Sequence, residues 1–364
     1  MILKNRNVFG CLIISFTAFA LTQTISVLDP AFGQTSEFTP ASTRGFFNLT
    51  TGDGPLPITN LPNISEILDL ENRGCPGEIS FYVHGVWANE TQAREQGERV
   101  FLSLNDSDYD IPVIGYSWDS NTSFSLTDPN EALDGWSIAK KIANGNGQLL
   151  AQLILDFKEA CEGDNVRIIA HSLGARLTLA ALQSIHVDPE WTNDLNHQIK
   201  SVHLLGAAVD NEQISTRPSD CSSNSSPISC SGEAIGAVVE RFYNLYNPED
   251  NMLQYVYNSV EGNEALGWCG EEGGSQWFAT WWCFIGNSVT EPENYIEYSV
   301  ISELPPYQDS NIDGECDVRN PDGSCSITRA GDNHLGYLGY RDSPTSIFNN
   351  GAMDKIATDW KEQQ

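Results

Sequence analysis

Asn165 Val166 Arg167 Ile168 Ile169 Ala170 His171 Ser172 Leu173 Gly174 Ala175 decides how this chain is read, because an apolar run meets the start of a helical pattern at a single serine. A short and almost continuous apolar run is what a strand covered on both faces requires. At such a junction a sharp strand-to-helix turn lifts the serine hydroxyl clear of the sheet, and small neighbours let the backbone pass closely enough to turn. Ala170 stands where the elbow pattern G-x-S-x-G has its first glycine, and Gly174 where it has its second. Taken alone, the same residues also fit a serine that merely caps a helix.

On both sides of this junction the pattern alternates strand and helix from residue 78 onward. Ile79 to Val83 is followed by a helix at about 89–104, then Pro112 to Tyr116, a helix at about 132–158 and Val166 to Ala170. The rhythm continues with a helix from Ser172 to about Ile185, the strand Ser201 to Gly206, a helix near Ala234 to Val239 and the strand Arg241 to Tyr246. Alternation of this kind implies an α/β fold, a mostly parallel sheet with helices on both faces. Residues 34–77, rich in Thr, Pro, Asn and Gly, read as an extended lead-in with one short strand candidate at Phe46 to Leu49. Three stretches interrupt the rhythm, at 211–232, 261–287 and 305–333, and read as excursions from the rim of the sheet.

With 364 residues the chain is long enough for one large α/β domain with insertions. Residues 1–33 read as an export signal: Lys4 and Arg6 precede the apolar run Val8 to Leu21, and Ala31 Phe32 Gly33 is preferred to Ala18 Phe19 Ala20 as the cleavage site. The competing reading is an uncleaved anchor over Val8 to Leu28 on the outer face of a membrane. No later segment is apolar enough to span one. Leaving out Cys11, an exported chain keeps Cys75, Cys161, Cys221, Cys230, Cys269, Cys283, Cys316 and Cys325, an even number that implies disulfides. Spacing suggests the local pairs Cys221–Cys230, Cys269–Cys283 and Cys316–Cys325, one in each excursion, and leaves Cys75 for Cys161. Sequons at Asn48, Asn63, Asn89, Asn105, Asn121 and Asn224 also suit export. A formal charge of −30, from 19 basic and 49 acidic residues, argues against nucleic acid and against an anionic membrane surface as partners.

A serine hydroxyl is a poor nucleophile until a base takes its proton, so a reactive Ser172 requires a histidine and an acid to orient it. With a nucleophile elbow the expected order is serine, acid, histidine. Of the six histidines, only His334 lies beyond the plausible acids, in the Gly-flanked loop Ala330 Gly331 Asp332 Asn333 His334 Leu335 Gly336. Asn247 Pro248 Glu249 Asp250 Asn251 follows the strand Arg241 to Tyr246, at the strand end where the groups of open α/β sheets collect. Asp250 is the first choice of acid and Asp210 the alternative, with Glu249 behind both. An oxyanion needs preset N–H donors, and Ile79 to Val83 runs into His84 Gly85 Val86, a turn able to supply one.

These four features in this order resemble the α/β-hydrolase superfamily, in its serine lipase and esterase branch. The resemblance covers most of residues 78–340. It implies a three-layer fold, Ser172 as nucleophile, His334 as base and then acid, Asp250 as the group holding the imidazole, and the N–H groups of Leu173 and Val86 as oxyanion donors. It also implies that His171 packs or hydrogen-bonds rather than reacts. In this superfamily the strand ending at His-Gly neighbours the strand ending at the elbow, so Cys75 and Cys161, which precede those strands by similar distances, are expected to meet at the opposite rim.

Asp309, Asn311, Asp313 and Asp317 match part of a calcium loop, with Gly314 at the sharp turn, but Asn320 stands where a bidentate glutamate belongs. The chemistry itself requires no cofactor, and calcium is expected only as a structural ion. The function expected is an exported serine hydrolase acting on small-molecule or lipid carboxylic esters. The alternative is a catalytically silent fold of the same kind used for extracellular binding or adhesion.

Overall fold

The computed structural model describes residues 37–55, 62–123, 129–189, 198–222, 230–250, 252–270, 289–304, 332–341 and 348–364. Among them seven strands form one sheet: β1 (Phe38–Ser42), β2 (Glu78–Val83), β3 (Val113–Ser117), β4 (Asn165–His171), β5 (Ile199–Leu205), β6 (Val239–Tyr246) and β7 (Tyr295–Ser299). Their order is β1-β3-β2-β4-β5-β6-β7, and every neighbouring pair is parallel. All strand carboxyl ends therefore lie along one rim.

The central strands β2 to β5 are buried on both faces because each face is roofed. Phe81, Val83, Ile168 and Ala170 point into a core shared with the helices Pro129–Ala160 and Gly174–His186. Tyr82, Val113, Ile169 and Tyr243 point into a second core shared with the helices Glu90–Asp106 and Met353–Lys361. The chain passes from β2 to β3 over one face and returns over the other to β4, on the opposite side of β2. This reversal makes the β2/β4 boundary a topological switch point, the place where ligands of open α/β sheets collect.

The elements expected around the serine form where the sequence places them, within one to three residues at their ends. The lead-in is different. Phe46 to Leu49 is not a strand; the strand of that segment is β1, which pairs with β3 from Phe38 to Ser42. Phe47 is apolar for another reason. It packs from a turn onto the helix Pro129–Ala160, so closely that a Cβ on Gly145 would lie 2.5 Å from its ring. Its own N–H is held by the Asp119 carboxylate at 3.0 Å. Two further elements close the fold beyond those read from sequence, the edge strand β7 and the C-terminal helix, whose Trp360 is buried against His203.

Cys75 and Cys161 are joined, with Cα atoms 5.5 Å apart, just before β2 and β4, whose pairing begins at Glu78 and Asn165. Cys221 and Cys230 are joined as well. Cys269 is disulfide-bonded, while Cys283, expected as its partner, and the pair Cys316 and Cys325 lie outside the described residues. The Cys75–Cys161 bridge closes a loop over 86 positions, and such a cross-link acts mainly by restricting the unfolded chain. Replacing both cysteines by serine is expected to lower unfolding free energy by roughly 2–5 kcal/mol, read from urea denaturation curves.

Candidate active site

Ser172 follows β4 directly and has φ of +54°, a left-handed conformation rare for a residue with a side chain. It is held there by its backbone. Its N–H donates to Leu205 O at 3.0 Å, and its carbonyl accepts from Ala175 N and Ala208 N at 3.0 and 3.1 Å. Ala170, in place of the first glycine of the elbow pattern, lies in regular pairing between Val83 and Leu204, where a methyl group is accommodated. The glycines that matter are Gly85 and Gly174. A Cβ on Gly174 would come within 2.4 Å of Val83 O and 2.7 Å of His84 O, and one on Gly85 within 2.8 Å of Ser172 Cβ. The helix start, the serine and the end of β2 are thus packed backbone to backbone.

His334 lies in the short helix Asp332–Gly336 and is buried beside this turn. Its Nδ1–H donates to Asp250 Oδ2 at 2.6 Å. A carboxylate oxygen accepts this bond, so the tautomer it selects for a neutral imidazole carries its proton on Nδ1 and has Nε2 bare. Asp250 is itself fully buried and fixed, with Oδ1 accepting from Leu253 N at 3.1 Å. Close by is Gly206, with φ of +51°; a Cβ there would lie 2.9 Å from the Tyr337 ring and 3.1 Å from Asp250 Oδ2. Burial, and next the charge of Asp250, push the Tyr337 phenol well above its ordinary range.

His171 joins this pair to the serine. Its Nε2–H donates to the carbonyl oxygen of His334 at 2.7 Å, and the two imidazole centroids are 4.6 Å apart. Burial, and then the neighbouring His334, hold His171 well below the usual histidine range, so it is neutral. Ser172 is thus linked to His334 through packing and His171, not by a hydrogen bond between the two side chains.

Packed against the serine turn, His84 Gly85 Val86 follows β2. No backbone hydrogen bond among the described residues uses the N–H of Val86 or of Leu173, so neither donor is spent within the backbone. The loop is braced from behind. His84 Nδ1–H donates to Gly85 O at 2.8 Å, its Nε2 accepts from Trp118 N at 3.2 Å, and its ring stacks on Trp118. Arg44, just past β1, completes the brace through Ala88 O at 2.9 Å, Ser117 Oγ at 2.6 Å and His84 Nε2 at 3.4 Å. Burial first, and then the Arg44 charge, lower the His84 pKa to about 3.

The alternative acid is placed elsewhere. Asp210 accepts from the Tyr257 hydroxyl at 2.7 Å, and the carboxylate bonded to His334 is Asp250. Asp309, Asn311, Asp313 and Asp317, read as a calcium loop, lie outside the described residues. Sequence reasoning passed over Arg44, Tyr337 and Arg176. Only the last was visible as an anomaly, a lone cation in the apolar helix pattern after the serine.

A parallel sheet with helices on both faces, a serine on a left-handed strand-to-helix turn at its switch point, and a buried histidine–aspartate pair beside it define the α/β-hydrolase superfamily. Residues 77–273 match the family described as an alpha/beta hydrolase of unknown function (DUF900), and the chain belongs to that family. The match includes Ser172 and Asp250 and ends before His334. No curated protein matches. Among solved structures, the product of gene lin2722 from Listeria innocua is similar over 60% of this chain and 83% of its own, at 10% identity and a TM-score of 0.30.

The neutral histidines make stability depend on pH. His84, His171 and the buried His203, lowered to about 4 mainly by burial, all have folded pKa values below 6.5. The unfolded chain therefore binds more protons as pH falls below 6.5, and the stabilisation present above that value is lost as pH falls towards the folded values. Each such group contributes a slope of up to about 1.4 kcal/mol per pH unit. In His84→Gln the slope of unfolding free energy between pH 6 and 4 is expected to be shallower by about that amount, measured by urea denaturation.

Proposed function

We propose that the protein is an exported serine hydrolase that cleaves carboxylic esters through an acyl-enzyme. The observation that carries the reading is the buried His334–Asp250 hydrogen bond set beside a serine in a left-handed elbow. A left-handed serine stores backbone strain, and strain of this kind clusters at functional sites. A carboxylate bonded to Nδ1 of a buried imidazole selects the tautomer whose other nitrogen can take a proton.

In the proposed reaction Ser172 Oγ attacks the ester carbonyl carbon while its proton passes to His334 Nε2. The carbonyl oxygen gathers negative charge, met by the N–H groups of Leu173 and Val86. Collapse of the intermediate breaks the carbon–oxygen bond to the alcohol, which leaves with the proton from Nε2. Water then attacks the acyl carbon, its proton goes to Nε2, and Ser172 is released with that proton as the acid departs. Asp250 stays ionised and stabilises the imidazolium in both halves. No cofactor enters these steps.

Export is supported by the two disulfides among the described residues, since such bonds persist in oxidising compartments, and by the charged and then apolar first 21 residues. No helix among the described residues is long and apolar enough to cross a membrane. Small-molecule or lipid esters are the substrates proposed.

Wild-type protein is expected to react covalently with a fluorophosphonate probe and to turn over p-nitrophenyl esters, and Ser172→Ala to do neither, with kcat down by about a millionfold. Asp250→Asn retains the fold and loses roughly ten-thousandfold in kcat. An unlabelled, folded wild-type protein that hydrolyses no ester in a panel of increasing chain length would favour the silent binding protein instead.

A further inference from the structure

Arg176 stands one helical turn beyond Ser172 and is 2% exposed, yet none of its three guanidinium nitrogens has a hydrogen-bond partner. Among the described residues no carboxylate pairs with it. A buried, unpaired guanidinium is costly, and the other buried arginine, Arg167 on β4, is hydrogen-bonded to Glu78, Ser201 and Gln363. The two carboxylates whose charge, like that of Arg176, acts on Tyr257 are already occupied. Asp210 is hydrogen-bonded by Tyr257, and Glu261 is paired with Lys140 and bonded by the Trp136 indole.

The position of Arg176 links it to the reactive centre. Helical side chains lean towards the N-terminus of their helix, and here that direction leads back to the elbow. The charge of Arg176 is felt at Tyr257, whose phenol is raised by burial and by Asp210 and lowered by this guanidinium. Tyr257 meets Trp136 edge to face at 5.9 Å, and Trp136 meets Trp87 at 6.0 Å. Trp87 follows Val86, so an aromatic wall runs from the oxyanion donors to the surroundings of Arg176. Trp136 and Tyr257 belong to the core on one side of the sheet, whereas Tyr337, beside His334 and Asp250, belongs to the other. The departing alcohol must meet His334, so the aromatic side is left for the acyl chain.

We propose that Arg176 is the anion-binding group of the acyl pocket, and that the preferred substrates are esters whose acyl chain ends in a carboxylate. The inference rests on the serine-hydrolase reading above. Binding such a chain gives the guanidinium the planar, bidentate partner it lacks, and an uncharged chain leaves it unpaired, which is how a buried polar group discriminates.

The test uses the full chain and two p-nitrophenyl esters, the monoester of adipic acid and the ester in which an isopropyl group replaces the free carboxylate. Fluorophosphonate labelling of Ser172 is measured in parallel. Wild type is expected to favour the anionic ester at least tenfold in kcat/KM, and free adipate to slow labelling. In Arg176→Met the ratio of the two kcat/KM values falls to about one or below, and adipate no longer protects; Arg176→Lys recovers part of the ratio. Should Arg176→Met not fold, the wild-type ratio and adipate protection decide. A labelled wild type with a ratio of one or less, or a ratio unchanged in Arg176→Met, overturns the anion site and leaves the hydrolase reading intact. Absence of labelling overturns the hydrolase reading, and the inference falls with it.

Discussion

Three stretches of backbone meet in direct contact at the centre of the molecule: the end of β2, the serine turn after β4 and the first turn of the following helix. Side chains are excluded from their meeting point, since a Cβ at Gly174 would press on two carbonyl oxygens and one at Gly85 on the serine itself. This contact joins the end of β2 to the serine turn and the helix start, segments far apart in the chain. It also keeps Ser172 left-handed, because the bonds to Leu205, Ala175 and Ala208 leave no room for relaxation. The sheet order puts the switch point here, so the crevice and the tight packing share one topological origin.

Around this centre the charges are managed by burial. His84, His171 and His203 are kept neutral in the interior, and each supports a different part of the structure. His84 shapes the loop after β2, His171 fixes the carbonyl of His334, and His203 packs beneath the C-terminal helix. Of these three and His334, two face buried carboxylates, His334 the Asp250 oxygen at 2.6 Å and His203 the Asp359 oxygen at 3.4 Å. At His203 burial outweighs the carboxylate, so it joins His84 and His171 as a neutral support, and His334 is left as the histidine with the shortest carboxylate bond. The division follows from their neighbours, not from the residue itself.

Much of this was legible in the sequence for a physical reason. Central parallel strands are buried on both faces and announce themselves as apolar runs, so β2 to β6 and the helices between them could be placed from pattern alone. The pairing of His334 with Asp250 was accessible through the order of residues along the chain, and the Cys75–Cys161 bridge through the expected adjacency of β2 and β4. The edges were not. β1 contains Thr39, Pro40 and Ser42 and carries no apolar signature, and Phe46 and Phe47 nearby drew the strand assignment to a turn. The brace by Arg44 and the isolation of Arg176 were hidden because a cation's partners, or their lack, depend on contacts over distances in the chain that periodicity does not report.

Arg44 has a consequence for how the site is coupled to the rest of the molecule. It sits two residues past the outermost strand, yet its guanidinium touches the histidine, the serine hydroxyl of β3 and the carbonyl that together shape the loop carrying Val86. The margin of the sheet and the crevice at its middle are thus mechanically one piece. Whatever grips, peels or clips the β1 edge therefore pulls on the loop after β2, giving the periphery of the fold a direct lever on the turn that packs against Ser172.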